Sequence, residues 1–271
     1  MVHLIDDFYF QQHIHPRNEI GNKYSFGNII IIAGSTGKWG ASLLASKAAL
    51  RAGSGLVTAI VSEDYEESFL SFCPEVMHLR EWNLSKILSY DAIGIGPGIG
   101  LDDATKHHLK ELMRKYEGPM VLDADALNII STTENLKGFL KPQHVLTPHY
   151  GEASRLFGKK VSDSNAVQLG LEFVQKYPCT LILKGPNSKI ISSEGIVYQN
   201  TSGNDALATA GSGDVLTGII TSFLGKKYDP IQAASLSVFV HGKLAEICLE
   251  EQSKSSVIAS DLIEKLKGFE L

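Results

Sequence analysis

Ile29-Ile30-Ile31-Ile32-Ala33-Gly34-Ser35-Thr36-Gly37-Lys38-Trp39-Gly40-Ala41 starts with four β-branched residues in a row and passes straight into a glycine-rich loop. An unbroken apolar run lacks the alternation of a half-exposed strand. It fits a strand buried on both faces, the habit of parallel sheets. Small residues from Ser42 to Ala52 then read as a helix, Gly53-Ser54-Gly55 ends it, and Leu56 to Val61 is a second strand. The form recurs downstream. Ala92 to Ile95 runs into Gly96-Pro97-Gly98-Ile99-Gly100, and Met120-Val121-Leu122 into Asp123-Ala124-Asp125-Ala126-Leu127-Asn128. Val145-Leu146 runs into Thr147-Pro148-His149-Tyr150-Gly151-Glu152, and Thr180 to Leu183 into Lys184-Gly185-Pro186-Asn187-Ser188. Short strand, polar loop, helix or turn is the βα rhythm of an open parallel sheet. Such a sheet gathers these loops at the C-terminal ends of its strands.

The rest of the chain is less telling. Residues 1–22 read as a helix with a polar lead-in, ending near Gly21. Residues 62–90, with acids at Glu63, Asp64, Glu66 and Glu67, read as surface. Met120 to Asn128 reads as strand then loop, Asp102 to Tyr116 as a helix, and Lys189 onward as a hairpin return through Glu194-Gly195. Asp229 to Glu250 and Ser260 to Lys267 read as packing helices, with His241 a satisfied core histidine. No repeat, linker or low-complexity segment divides the chain, so residues 1–271 are expected to form one domain.

Composition narrows the function classes. With 271 residues, 44% hydrophobic and 20% charged, the chain suits one large α/β domain. A net charge of -5 and the lack of any basic run argue against a nucleic-acid partner. The N-terminal Met1-Val2-His3-Leu4-Ile5-Asp6-Asp7 carries acids where a secretory signal carries bases, and no apolar run could span a bilayer. Cys73, Cys179 and Cys248 are isolated and without metal-ligand spacing, as expected of buried thiols in a reducing compartment. Together these features point to a cytoplasmic protein with no membrane partner.

Two glycine-rich motifs fail on inspection. Gly37-Lys38 invites a phosphate-loop reading, but Trp39 follows where a hydroxyl residue belongs and no glycine stands five positions upstream. Gly96 to Gly100 has the wrong spacing for a dinucleotide fingerprint and carries Pro97 inside it. Both loops remain open to close approach by a ligand, or to a tight turn.

The most informative loop is Asn200-Thr201-Ser202-Gly203-Asn204-Asp205-Ala206-Leu207-Ala208-Thr209-Ala210-Gly211-Ser212-Gly213-Asp214, followed by an apolar run at helical spacing. Gly211, Ser212 and Gly213 at a helix start make an anion cradle, because unpaired N–H groups and the helix dipole point at one spot. An acid there would repel a simple anion. Asp214 makes better sense if it meets a hydroxyl beside a phosphate, although Asp is also a common helix cap. The dipole is expected to lower the pKa of Asp214.

Taken in order, these loops resemble the ADP- or ATP-dependent NAD(P)H-hydrate dehydratases of the ribokinase-like superfamily. The series runs from Phe26-Gly27, Ala33-Gly34-Ser35 and Gly40-Ala41 through Gly96 to Gly100 and Asp123 to Asn128. It goes on through Thr147 to Glu152, Lys184-Gly185, and Gly203-Asn204 to Gly211-Ser212-Gly213-Asp214. The resemblance implies an α/β ribokinase-like fold, a central mostly parallel sheet with helices on both faces. It implies repair of hydrated NADH and NADPH by phosphorylation of the ring hydroxyl and loss of phosphate, with ADP or ATP as donor and Mg²⁺ as cofactor.

The resemblance also assigns roles. Asp214 would be the catalytic residue, orienting or deprotonating the ring hydroxyl, and Gly211, Ser212 and Gly213 the anion hole. Ala41, Gly98, Gly100 and His149, with Asp214, would bind the hydrated dinucleotide. Lys184, Gly185, Pro186, Asn187, Ser188 and Gly213 would hold the nucleotide. Glu152 would reach Mg²⁺ through water, or serve only as a helix N-terminal acid. Asp123, Asp125 and Asn128 would shape the site. Many relatives carry Thr where Ser188 and Ser212 stand, and a fused epimerase domain is absent, which implies a separate epimerase as pathway partner. Assembly into a homo-oligomer is expected by analogy with the fold. Two rivals share these residues: a vitamin-type small-molecule kinase of the same fold, acting on hydroxyethylthiazole, hydroxymethylpyrimidine or pyridoxal, and a non-catalytic nucleotide-binding protein.

Overall fold

The computed structural model describes residues 2–17 and 19–271; Met1 and Asn18 lie outside it. Ten strands build one sheet: β1 (Val2–Ile5), β2 (Asn28–Ile32), β3 (Leu56–Ile60), β4 (Met77–Leu79), β5 (Ala92–Ile95), β6 (Met120–Leu122), β7 (His144–Leu146), β8 (Thr180–Leu183), β9 (Lys189–Ile191) and β10 (Val197–Asn200). Their order is β1-β10-β9-β8-β7-β6-β5-β2-β3-β4. Every pairing is parallel except the two made by β9, which returns antiparallel between β8 and β10. The helices are α1 (Asp7–His13), α2 (Trp39–Arg51), α3 (Glu66–Phe72), α4 (Leu84–Ile87), α5 (Asp103–Lys115), α6 (Ala124–Thr132), α7 (Tyr150–Phe157), α8 (Ala166–Lys176), α9 (Ser212–Gly225), α10 (Pro230–Cys248) and α11 (Ala259–Lys265). Among the described residues no helix is long and apolar enough to cross a membrane.

The isoleucine run explains the layering. Successive side chains on a strand point to opposite faces. Ile29 and Ile31 join one core with α1, α2, α9, α10 and α11, while Ile30 and Ile32 join a second core with α5, α6, α7 and α8. β2 is therefore apolar on both faces from Ile29 to Ile32, and the sheet carries helices on both faces as expected. Helix α9 lies between the sheet, α2 and α10, which is why nearly all its side chains are buried. Gly218 permits its contact with α2, since a Cβ there would fall on the Ala45 carbonyl.

Three expectations are corrected. Residues 2–5 form an edge strand rather than the start of a helix, because they pair with β10, a partner far along the chain. Asp6 then caps α1 by accepting from Tyr9 N (2.9 Å), so the helix begins only at Asp7. Residues 62–90 contain α3, α4 and β4, with Phe69, Cys73, Val76 and Ile87 buried. The loop after β6 is barely a loop. Ala124 turns through a positive φ of 47° and α6 begins there, leaving Asp123 at the junction.

Candidate active site

The loops after β2, β5, β6, β7 and β8 meet the start of α9 at the C-terminal edge of the sheet. Hydrogen bonds fix their spacing. Gly34 N donates to Pro97 O (2.8 Å) and Ser35 Oγ to Gly98 O (2.7 Å), tying the loops after β2 and β5 together. Gly96 has a φ of 136°, and a Cβ on it would fall on the Asp123 carbonyl, so only glycine lets this loop lie against the next. Lys184 N donates to Pro148 O (2.9 Å), which places His149 beside Lys184.

A cavity of about 450 Å³ opens between these loops, and Ala41, Gly98, Gly211 and Asp214 all line it. Gly100 stands beside it, its N–H bound to Asp125 Oδ2 (3.0 Å). Behind the cavity lies an ion pair. Asp123, only 2% exposed, accepts from Lys184 Nζ (2.9 Å) at one oxygen and from Thr217 Oγ1 (2.9 Å) at the other. Lys184 also packs against the cradle, its Nζ 3.5 Å from where a Gly213 side chain would begin. Burial opposes the Lys184 charge, but Asp123, Glu152 and Asp214 outweigh it and hold the pKa above the usual lysine range.

At the start of α9, the N–H groups of Gly211, Gly213 and Asp214 have no hydrogen-bond partner among the described residues. The N–H of Ser212 turns back to Thr209 O (3.3 Å), and its hydroxyl lies 3.1 Å from His241 Nε2. Open N–H donors at a helix start are what an anion needs.

Asp214 corrects an expectation. Its carboxyl is pushed up to about 6, first by burial and then by the nearby Asp123 charge, with Lys184 opposing. The helix dipole does not dominate, because losing water disfavours the charged form of a half-buried acid and a second carboxylate reinforces that. Nor does the Asp214 side chain accept a capping bond, so the cap reading loses its support. Burial lowers the His241 ring to about 4 against the pull of the Ser212 backbone, which leaves it neutral at pH 7.

His149 and Glu152 form a reciprocal cap on α7. His149 Nδ1 accepts from Gly151 N (3.0 Å) and Glu152 N (3.3 Å), while Glu152 Oε2 accepts from His149 N (2.9 Å). The Lys184–Ser188 turn closes on itself through Ser188 Oγ donating to Gly185 O (3.2 Å), with Asn187 at a positive φ of 52°.

Sequence reasoning missed three contributors. Asp123 emerges as the buried partner of Lys184 rather than a residue that merely shapes the site; its place at the end of an apolar strand was the available signal. Lys38 lines the cavity and reaches Asp125 Oδ2 (3.5 Å), although the phosphate-loop motif fails around it. His241 touches the cradle across 29 residues of sequence, which no local pattern could reveal.

A mostly parallel sheet with helices on both faces, its loops converging on a helix start that bears an acid, defines a ribokinase-like α/β protein. A family model described as NAD(P)H-hydrate dehydratase matches residues 29–267. The chain is 37% identical over 256 residues to an ADP-dependent (S)-NAD(P)H-hydrate dehydratase of Neisseria meningitidis, covering 91% of this chain and 84% of that one. It is 36% identical over 269 residues to a bifunctional NAD(P)H-hydrate repair enzyme of Moorella thermoacetica, covering 93% of this chain and 51% of that one. Among solved structures, the ADP/ATP-dependent NAD(P)H-hydrate dehydratase of Bacillus subtilis, co-crystallized with ATP/Mg²⁺, matches with a TM-score of 0.86 at 28% identity, covering 98% of this chain and 96% of that one. This chain belongs to the NAD(P)H-hydrate dehydratase family. It spans about half the length of the bifunctional relatives it matches.

Proposed function

We propose that this protein restores hydrated NADH and NADPH by nucleotide-driven dehydration. The ring hydroxyl attacks the terminal phosphoryl group of ADP or ATP, forming a phosphate ester. The ester C–O bond then breaks with electron push from the ring nitrogen, and loss of a ring proton regenerates the dihydronicotinamide. The observation that carries this reading is Asp214, half-buried at the cavity wall beside open N–H donors, with its pKa near 6. An acid so tuned can take the proton of a hydroxyl near neutral pH, while the N–H groups stabilise charge on the transferring group. The family match favours a dehydratase over a vitamin-type kinase. It also supports nucleotide use.

Ala41, Gly98, Gly100 and His149 would receive the dinucleotide, and Lys184, Gly185, Pro186, Asn187, Ser188 and Gly213 the nucleotide. Among the described residues no three acids, histidines or cysteines gather as a metal cage. Mg²⁺ suits this sparse setting, because it keeps its waters and binds largely through substrate phosphates. Glu152 would face it through water, since one of its oxygens already serves the α7 cap. When bound, Mg²⁺ would offset phosphate charge. The bifunctional relatives suggest that epimerisation of the hydrate accompanies this repair.

The decisive test incubates hydrated NADH with ADP or ATP and Mg²⁺ and follows the absorbance of the reduced nicotinamide. Nucleotide-dependent recovery is expected. No recovery with either nucleotide at saturating substrate would rule the reading out. A second expectation concerns pH. A base must be deprotonated to act, so kcat/KM should fall about tenfold per unit below the Asp214 pKa of about 6. A flat profile from pH 7 to 5 in a protein that stays folded would remove Asp214 as the base.

A further inference from the structure

His241 sits in the middle of α10, buried, and the reaction above gives it no part. Its Nε2 lies 3.1 Å from Ser212 Oγ, and its Nδ1 makes no hydrogen bond among the described residues. The next residue meets the other end of the same loop. A Cβ on Gly242 would fall on Ser202 Oγ, and Ser202 Oγ itself donates to Phe239 O (2.8 Å). Gly203 N donates to Glu246 Oε1 (2.7 Å). One stretch of α10 therefore grips the loop from Ser202 to Ser212 at both ends, and His241 is its contact at the cradle.

We propose that His241 is a positioning residue for phosphoryl transfer: Nε2–H donates to Ser212 Oγ, so that the Ser212 hydroxyl aims its own proton at the transferred phosphoryl group. This rests on the function proposed above. Chemistry chooses the direction of the bond. A neutral imidazole has one N–H, and a serine hydroxyl has one proton. If Nε2 accepted that proton, the Ser212 lone pairs would face an incoming anion. With Nε2 donating, Ser212 joins the N–H groups of Gly213 and Asp214 as a further donor. A histidine kept only for packing would be replaceable by any residue of similar volume.

The test compares His241→Leu, which removes the donor, with His241→Gln, whose amide N–H can reach the Nε2 position. Both are assayed for kcat and KM on hydrated NADH with ADP. The leucine variant should lose about tenfold or more in kcat with KM nearly unchanged, as loss of a support for one transition-state donor implies. Glutamine should restore most of it. Because His241 acts through Ser212, adding His241→Leu to Ser212→Ala should cause no further loss. Wild-type kcat in His241→Leu, or losses that multiply in the double variant, would overturn the assignment. Should the leucine variant not fold, His241→Asn, whose shorter amide falls short of Ser212, should be slow where glutamine is active. Equal rates for the two would overturn it. A wild-type protein inactive on hydrated NADH strikes the proposed function itself, whereas an active wild type with an equally active leucine variant strikes only His241.

Discussion

Asp214→Asn should lower kcat by about 10³-fold, since loss of a positioned proton acceptor typically removes 10²- to 10⁴-fold. The substitution keeps the shape of the side chain and its place in the first turn of α9. It removes the charge that, on the proposed function, would receive the hydroxyl proton. The open N–H groups of Gly211, Gly213 and Asp214 remain, so nucleotide and dinucleotide should still bind with near-native affinity. Removing a partly buried carboxylate beside Asp123 also relieves repulsion, so the variant should be at least as stable as the wild type. Steady-state kinetics with a direct binding measurement checks this. A variant that loses binding along with rate would mark Asp214 as structural, and one retaining more than a tenth of the rate would leave the base elsewhere.

The second large effect belongs to the ion pair behind the cradle. Lys184→Met should cost about 3 kcal/mol of stability, because breaking a buried pair leaves an uncompensated charge. Asp123 would keep the Thr217 hydroxyl but lose its cation, at 2% exposure. Nucleotide affinity should fall as well, since Lys184 is the cation nearest the cradle at Gly213. The two losses can be separated. Adding Asp123→Asn should return most of the stability, as the charge to be compensated is gone, while nucleotide binding stays weak. Urea unfolding gives the first quantity and ADP titration the second. If Lys184→Met unfolds at the wild-type midpoint, Asp123 is not held by this pair. If the double variant recovers affinity, Lys184 acts on the nucleotide only through Asp123.

The parts of this architecture that repeat were legible in sequence. The Ile29–Ile32 run, with its two-faced burial, announces a parallel sheet, and each later strand-loop-helix passage confirms the rhythm locally. The cradle at Gly211–Asp214 is also local, since adjacent residues build it. What escaped detection is contact across distance. β1 reads as helix because its reason for being a strand lies at β10. Asp123 looks incidental until Lys184 is folded onto it. His241 looks like core until α10 is laid against α9. The direction of the Asp214 pKa shift is hidden for the same reason, because the dipole is local and visible in sequence whereas burial and the Asp123 charge come from the assembled site.

The edge strand has a bearing on the order of assembly. Val2 pairs with Val197 and Ile5 with Asn200, so β1 can find no sheet partner until the distant β10 has been made. α1 then packs on α10, later still. Contacts that span such long loops are slow to form and come late in folding. β1 is thus among the last strands to be locked in place, and until then the outer edge of β10 stands open to any other extended strand.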